Sequence, residues 1–272
     1  MSNLRTILCR VVLFLLIVAV SPTIAVADWT AYAVGHIGIS TGSGDVSGTF
    51  STQTVSGSDR DSSPMMAIAG GIDIPMNELM AWKLPYDLEL PDWPVRVEFE
   101  FAGLRDFEYR TIFNNGLNDD IVLSSNKSWA MMVNSWFDMP ATVLTRPTAW
   151  MFQTRKSSAR RILDPITFYA GVGIGTARLK LDAITSANER AKSDDFKFAW
   201  QVGTGLGYKL TPFVNVDLGY RFFKARELEP TLLDSNGQPA PGDYRLKERI
   251  HEFRAGLRVN VYSFTSPWSR LE

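Results

Sequence analysis

Hydrophobic and polar side chains alternate with a period of two along several stretches of the chain, most clearly over residues 196–210. The even positions carry Phe, Phe, Trp, Val, Thr, Leu, Tyr and Leu, and the odd positions carry Lys, Ala, Gln, Gly, Gly, Gly and Lys. Because successive side chains of a strand point to opposite faces, this stretch predicts one apolar face and one small or polar face. Aromatic residues near both ends of the apolar face are typical of a strand that faces lipid.

The same alternation recurs along the chain and predicts an all-β protein of eight strands. We expect them near residues 29–40, 65–75, 94–105, 127–138, 165–178, 196–210, 213–226 and 250–264. Four intervening stretches are rich in polar and glycine residues, which predicts solvated loops at one end of the sheet, over residues 41–63, 105–126, 181–194 and 227–247.

Two connections at the other end are long, residues 77–92 and 139–164. We expect both to lie along a membrane interface or on its periplasmic side, and part of the second could be helical. The second also carries a basic cluster around Trp150 and Phe152, so an anionic partner is its alternative role.

Charged residues occupy the polar faces of the predicted strands. In one strand Arg96, Glu98 and Glu100 alternate with Val97 and Phe99. A soluble core would pay heavily for such charges, whereas a barrel interior lets them pair with one another and with water. A soluble β-sandwich or lipocalin-like barrel would need the apolar face inside. The predicted interior polar network consists of Asp73, Arg96, Glu98, Glu100, Asn134, Lys197, Gln201, Asp217, Arg221, Arg254 and Arg258.

The fold class that follows is an eight-stranded antiparallel up-and-down transmembrane β-barrel preceded by an export signal. Arg5 and Arg10 precede an apolar run over residues 11–20, and Ala25-Val26-Ala27 follows. This pattern predicts a signal peptide over residues 1–27, with cleavage before Asp28 and a barrel domain over residues 28–272. The apolar run is too short for a comfortable membrane span.

Composition narrows the function classes further. The only cysteine, Cys9, lies before the apolar run, so the mature chain would hold no disulfide scaffold and no thiolate metal site. A net charge of −1 implies no general affinity for nucleic acid. A mean hydropathy close to zero argues against a polytopic helical membrane protein, whereas barrel strands expose only one face to lipid.

Several short motifs occur in a consistent order: Arg96-Val97-Glu98-Phe99-Glu100, Asn134-Ser135-Trp136-Phe137-Asp138, the glycine alternations of residues 169–175 and 200–208, Leu218-Gly219-Tyr220-Arg221, and residues 251–258. With these motifs the chain resembles the bacterial outer-membrane β-barrel family of eight-stranded surface antigens, opacity-type proteins and OmpA-like barrel domains. The resemblance implies a location in the bacterial outer membrane and a non-enzymatic role in envelope structure, adhesion or surface interaction. The partners expected are outer-membrane lipid and lipopolysaccharide, the outer-membrane assembly machinery, and host or environmental surface ligands bound through four extracellular loops.

Candidate chemistry is sparse. His36 and His251 lie on the first and last strands, which are neighbours in a closed barrel, so together they could bind a metal or haem, or serve a hydrolase. No nucleophile motif accompanies them, and residues 234–237 lack the ligand spacing of a calcium loop. We therefore expect no catalytic residue, metal or cofactor, and a structural role for the interior charges. The alternatives are a lipid A-modifying enzyme and a narrow channel or haem-binding barrel. Side chains just fill an eight-stranded interior, so no large pore is expected.

Overall fold

The computed structural model describes residues 29–50, 53–76, 93–114, 119–145, 163–185 and 189–264. The strands are β1 (Trp29–Phe50), β2 (Gln53–Pro75), β3 (Pro94–Asn114), β4 (Asp119–Pro140), β5 (Ile166–Thr185), β6 (Arg190–Lys209), β7 (Val214–Ala225), β8 (Leu232–Leu233) and β9 (Gly242–Phe264), with one 3₁₀ helix at Ala141–Thr145. None of the helices in these ranges is both long enough and apolar enough to cross a membrane. The predicted signal peptide, residues 77–92 and residues 146–162 of the basic connection lie outside the described residues.

Eight of these strands close into a ring in which every neighbouring pair is antiparallel. The ring order is β1, β2, β3, β4, β5, β6, β7 and β9, and β9 returns to β1 along its whole length, from Trp29 opposite Phe264 to Phe50 opposite Gly242. The two-residue strand β8 follows β7 in the chain and pairs with the start of β6, and its Leu233 also forms an isolated bridge with Pro239. The structure therefore confirms the predicted all-β, eight-stranded antiparallel barrel.

The ring has two distinct ends. The end that holds Trp29 and Phe264 is called the terminal end, and the end where β1 turns into β2 is called the distal end. Strands of 20 to 23 residues form most of the wall. At about 3.3 Å per residue and a tilt of about 40°, they span roughly 55 Å, against about 25 Å for the lipid-facing part of such barrels.

The outer face of the wall changes character along this length. Towards the terminal end, the outward side chains are apolar and exposed, as with Ile37, Ile68 and Ile174, each more than 60 % exposed. We call this zone the apolar band. Aromatic rings mark its distal edge, where Trp129 lies with ring centroids 5.4 Å from Phe101 and 5.5 Å from Phe196. Beyond this edge most outward residues are polar or charged, with Ile112 and Leu123 as exposed apolar exceptions. The polar and charged ones include Thr41, Ser43, Asp45, Glu108, Lys127, Lys180, Lys247 and Arg249.

The predicted loops over residues 41–63, 105–126 and 181–194 are wrong for most of their length. β1 continues to Phe50, β3 to Asn114 and β5 to Thr185, and their partners begin within five residues of these ends. The alternation persists here, but with Gly42, Gly44 and Val46 inward and hydroxyl residues outward, so the composition imitates a loop. Only residues 227–247 contain a longer irregular connection, over residues 226–241, interrupted by β8.

A bulge in β3 reverses the alternation at the edge of the apolar band. Ala102 lies opposite Ala130 of β4, but Arg105 lies opposite Ser128, so β3 carries one extra residue. Leu104 accommodates it with a φ of 63°. Such a bulge redirects the side chains that follow it. Arg105 and the residues at odd positions after it consequently point inward.

Beyond this bulge, side chains replace the main-chain ladder between β2 and β3. The ladder ends at Met66 opposite Gly103. The Asp61 carboxylate accepts hydrogen bonds from the backbone amide of Glu108 at 2.8 Å and from that of the adjacent Ser62 at 2.7 Å. Asp59 bridges Arg60 and Arg110 in the same way, at 2.8 and 2.7 Å. We call this arrangement the carboxylate seam. These carboxylates accept hydrogen bonds from backbone amides of β3 that would bond to β2 carbonyl groups if the ladder continued.

Candidate functional site

The centre of the barrel holds a cluster of fully buried ion pairs. The Glu252 carboxylate accepts from Arg105 Nε at 2.6 Å and from Arg221 Nε at 2.6 Å. Arg221 also donates to Glu100, whose other oxygen lies 2.8 Å from Arg254 Nη1. Three strands of the wall, β3, β7 and β9, contribute these groups. Each of the two carboxylates meets two of the three guanidinium groups, so every charge of this cluster has a partner in a region where unpaired charge would cost several kcal/mol.

Glu98 joins this ion cluster to neutral donors. Its two carboxylate oxygens accept from Trp136 Nε1 at 2.7 Å, Asn134 Nδ2 at 3.0 Å and the Tyr32 hydroxyl at 3.0 Å. Gln201 donates in turn to the Asn134 oxygen. Hydrogen bonds to a charged acceptor are about twice as strong as neutral ones. The network therefore ties β1, β3, β4 and β6 together across the barrel.

A second group of charges lies towards the terminal end. Arg96 Nε donates to Asp138 at 2.9 Å. Arg258 lies near three carboxylates, with nitrogen–oxygen distances of 3.6 Å to Asp138, 3.6 Å to Asp217 and 3.9 Å to Asp73. These groups fill the interior below the central cluster, within the apolar band.

Towards the distal end the interior becomes apolar. Its buried members include Val46, Phe107, Val122, Leu179, Leu181, Phe223, Leu228, Leu232, Leu246 and Ile250. Among the side chains described there, Glu248 is a buried carboxylate that accepts from the Tyr109 hydroxyl at 2.6 Å and from Asn126 Nδ2 at 2.9 Å. Burial raises the pKa of Glu248, and the two hydrogen bonds oppose that rise only in part. Burial and the nearby carboxylate also raise the pKa of Tyr109.

Glycines on β5 and β6 admit the largest interior rings. A side chain at Gly203 would meet the Trp136 ring at 3.0 Å, and one at Gly205 would collide with the Tyr169 ring. A side chain at Gly173 would collide with the Asn134 amide. Gly203 and Gly205 therefore leave the space that the Trp136 and Tyr169 rings occupy.

The structure brings together ten of the eleven residues predicted for the interior network. These are Asp73, Arg96, Glu98, Glu100, Asn134, Gln201, Asp217, Arg221, Arg254 and Arg258. Lys197 is the exception, because its side chain is 28 % exposed and its Nζ lies 3.6 Å from Asp195. β7 ends at Ala225, opposite Ala199, so β6 has no β7 neighbour at Lys197. The Lys197 side chain is therefore partly exposed to solvent.

Four interior residues are missing from the predicted polar network, and the sequence pattern could have identified two of them. Glu252 and Asp138 sit at inward positions of predicted strands, so the alternation alone could have identified them. Arg105 and Glu248 lie in segments that read as loop edges, and the bulge at Leu104 decides the direction of Arg105.

The two histidines point to opposite faces of the wall. His36 is buried inside, opposite Gly256, whereas His251 is exposed outside, opposite Thr41. A metal, haem or catalytic site built on both is therefore ruled out by the register. Among the described residues, no three metal-binding side chains of the His, Cys, Asp or Glu type come together.

Comparison with known proteins adds one family match. The family model described as "Outer membrane protein beta-barrel domain" matches residues 11–258. An uncharacterized protein of Brucella abortus (strain 2308) and another of Brucella suis biovar 1 (strain 1330) are each 27% identical over 151 residues, covering 48% of this chain and 46% of theirs. The chain thus spans about half the length of these curated relatives.

Three solved structures illustrate the similarity. Neisserial surface protein A matches with 15% identity and a TM-score of 0.33, over 83% of this chain and 97% of that one. The outer membrane protease OmpT of Escherichia coli matches with 11% identity and a TM-score of 0.41, over 85% and 97%. The outer membrane protein OprG of Pseudomonas aeruginosa matches with 10% identity and a TM-score of 0.43, over 88% and 100%.

Proposed function

We propose that this chain is a closed, non-enzymatic surface barrel. The premise is that it belongs to the outer membrane protein β-barrel domain family and resides in the bacterial outer membrane. Its role is to hold a rigid, solvent-exposed extension of the barrel wall above the lipid, where it contacts surface ligands. The proposal places the distal end of the barrel outside the cell and the terminal end, with Trp29 and Phe264, in the periplasm.

One observation carries the proposal: polarity inverts along the strands. Within the apolar band the outer face is apolar and the inside is charged, as at Phe99 and Glu100. In the distal half the outer face is mostly polar or charged and the inside is mostly apolar, as at Glu108 and Phe107. The distal half has the pattern of a water-soluble barrel with its own core, stacked on a lipid-embedded one. An interior filled in this way favours neither a diffusion channel nor an enclosed ligand cavity.

A labelling experiment tests the proposed orientation and display. Single cysteines would replace Ser58 in the distal half, Ser135 in the apolar band and Leu210 in the turn at the terminal end, in a Cys9→Ser background. A membrane-impermeant maleimide should label Ser58→Cys on intact cells, Leu210→Cys only after outer-membrane permeabilisation, and Ser135→Cys only in denaturant. Labelling of Leu210→Cys rather than Ser58→Cys on intact cells would refute the orientation.

Two further measurements test the closed, non-enzymatic part. Planar bilayers containing the folded protein should show no large steady conductance, and a water-filled conductance would favour the channel alternative. Mass spectra of lipid A from cells with and without the protein should be identical. A change in lipid A that requires this protein would establish the enzyme alternative instead.

A further inference from the structure

One row of outward side chains just beyond the apolar band is unusually cationic. Arg60 of β2 lies opposite Ser43 of β1, Ser43 lies opposite Arg249 of β9, and Arg249 lies opposite Lys224 of β7. The row therefore holds three cations and no anion, across four strands and about 14 Å at the usual strand spacing. In the part of the chain that the structure describes, the one carboxylate that forms an ion pair with this row is Asp45, which lies 2.6 Å from Arg249. Asp59 and Asp61, on either side of Arg60, accept backbone amides in the carboxylate seam. Among the described residues, Arg60 and Lys224 form no ion pair.

The opposite side of the barrel, at the same edge, has balanced charge. There the register aligns Asp106, Lys127, Lys180 and Asp194 on β3 to β6. Lys127 Nζ lies 2.8 Å from Asp106, and Asp194 is held by Arg178 at 2.6 Å. Like charges directly opposite each other destabilise a sheet, and Asp45 supplies one negative charge where Arg249 and Lys224 together carry two positive charges.

Below the cationic row lies a shelf of aromatic rings. The Tyr220 and Phe253 rings are 5.3 Å apart, and the Phe222 and His251 rings are 5.2 Å apart. The Tyr220 hydroxyl is hydrogen-bonded to Nδ1 of His251 at 2.7 Å, which fixes the imidazole and leaves Nε2 for a ligand. Three of these rings, Tyr220, His251 and Phe253, line a recess of about 400 Å³ on the outer face together with Arg60, Arg249, Thr41 and Ser43. Lys224 and Phe222 lie beside the recess, opposite Arg249 and His251.

We infer that this recess, the rim site, binds the phosphorylated headgroup of an outer-leaflet lipid, lipid A, with phosphate on the cationic row and the sugar on the aromatic shelf. Three features support this occupant. The site opens on the outer face, it adjoins the exposed apolar surface on which acyl chains would lie, and its charge is opposite to that of phosphate. The inference rests on the proposed orientation, in which the distal edge of the apolar band lies at the outer leaflet.

Binding of purified lipids to the folded protein in detergent tests the rim site directly, by native mass spectrometry. Diphosphoryl lipid A should remain bound, and its dephosphorylated form should bind much more weakly. Each cation removed should weaken binding about fivefold, so the double variant Arg60→Gln with Lys224→Gln should lose about 25-fold. The matched control, Lys127→Gln with Lys180→Gln, removes two cations from the balanced row and should change binding less than about twofold.

Three results would overturn the inference: equal binding of the dephosphorylated lipid, equal losses in the two double variants, or equal binding of phosphatidylglycerol, which would indicate general attraction of anionic lipid. Inorganic phosphate is a further probe, and full competition by it at millimolar concentration would indicate a free-phosphate site. Because detergent has no inside or outside, these results do not depend on orientation. A wrong orientation would appear in the cysteine labelling and not here.

Discussion

Neutralising Glu252 should lower the free energy of unfolding far more than neutralising a carboxylate that forms an exposed ion pair of similar geometry. In Glu252→Gln the shape of the side chain is kept, but Arg105 loses the one carboxylate with which it pairs among the described residues, and Arg221 keeps its pairing with Glu100. All of these side chains are fully buried. Removing one member of a buried ion pair typically costs about 3–5 kcal/mol. A loss of about 3 kcal/mol would lower the folded-to-unfolded ratio about 150-fold.

The matched control is Asp194→Asn. Asp194 accepts two hydrogen bonds from Arg178, at 2.6 and 2.8 Å, but both side chains are more than 40 % exposed. An exposed pair of this kind contributes about 0–1 kcal/mol. Equilibrium unfolding in guanidinium chloride, followed by tryptophan fluorescence of protein folded into lipid vesicles, gives both free energies.

A third variant separates lost pairing from simple damage. Arg105→Met added to Glu252→Gln removes the guanidinium that the first change leaves unpaired, while its stem keeps the contact with Phe223, over whose ring Arg105 now lies at 4.4 Å. The double variant should therefore be more stable than the sum of the single losses predicts. Equal costs for Glu252→Gln and Asp194→Asn, or strict additivity in the double variant, would refute the reasoning.

Three further predictions follow from the interior, the seam and the distal carboxylate. Gly205→Val should prevent folding, seen as loss of heat-dependent electrophoretic mobility, because its side chain would collide with Tyr169 and the wall, whereas Gly35→Ala, with open space, should fold normally. Asp61→Ala should expose the backbone amide of Glu108 and accelerate its hydrogen exchange without loss of the barrel, and unchanged exchange would contradict the seam. Burial raises the pKa of Glu248 above its ordinary value of about 4.5, so its contribution to stability falls as the pH rises above that value. The unfolding free energy of Glu248→Gln should lack this fall, and parallel pH profiles for variant and wild type would contradict the assignment.

The faces of the strands could be predicted because alternation is local. Met66 and Ile68 outward, Asn134 and Trp136 inward, and the glycine face of β6 all follow from period two alone, and the structure places each accordingly. The same logic identified ten interior residues without knowledge of their partners. It could not give the ion pairs themselves, because Glu252, Arg105 and Arg221 are brought together by the register of three strands.

The distal half of the strands could not be predicted from the sequence for a different reason. Residues 41–50 and 105–114 have the serine, glycine and aspartate content of loops, and a strand of this composition is stable only because its neighbours supply a ladder and a core. The bulge at Leu104 shifts the phase of β3 by one residue, which no periodicity extrapolated from residues 94–101 could anticipate. Lys197 illustrates the converse, since its inward position was predictable but the early end of β7 was not.

The sequence by itself determined that this chain forms an amphipathic eight-stranded barrel with lipid on the outside, because the choice of face depends only on neighbours two residues apart. The tertiary structure alone decided where the lipid-facing zone ends, which charges neutralise one another, and which remain unpaired at its rim. Those outcomes depend on the register between strands that can lie more than two hundred residues apart in sequence, as for Asp45 and Arg249. Closure of the ring fixes that register, and with it the cationic row that we propose binds lipid A.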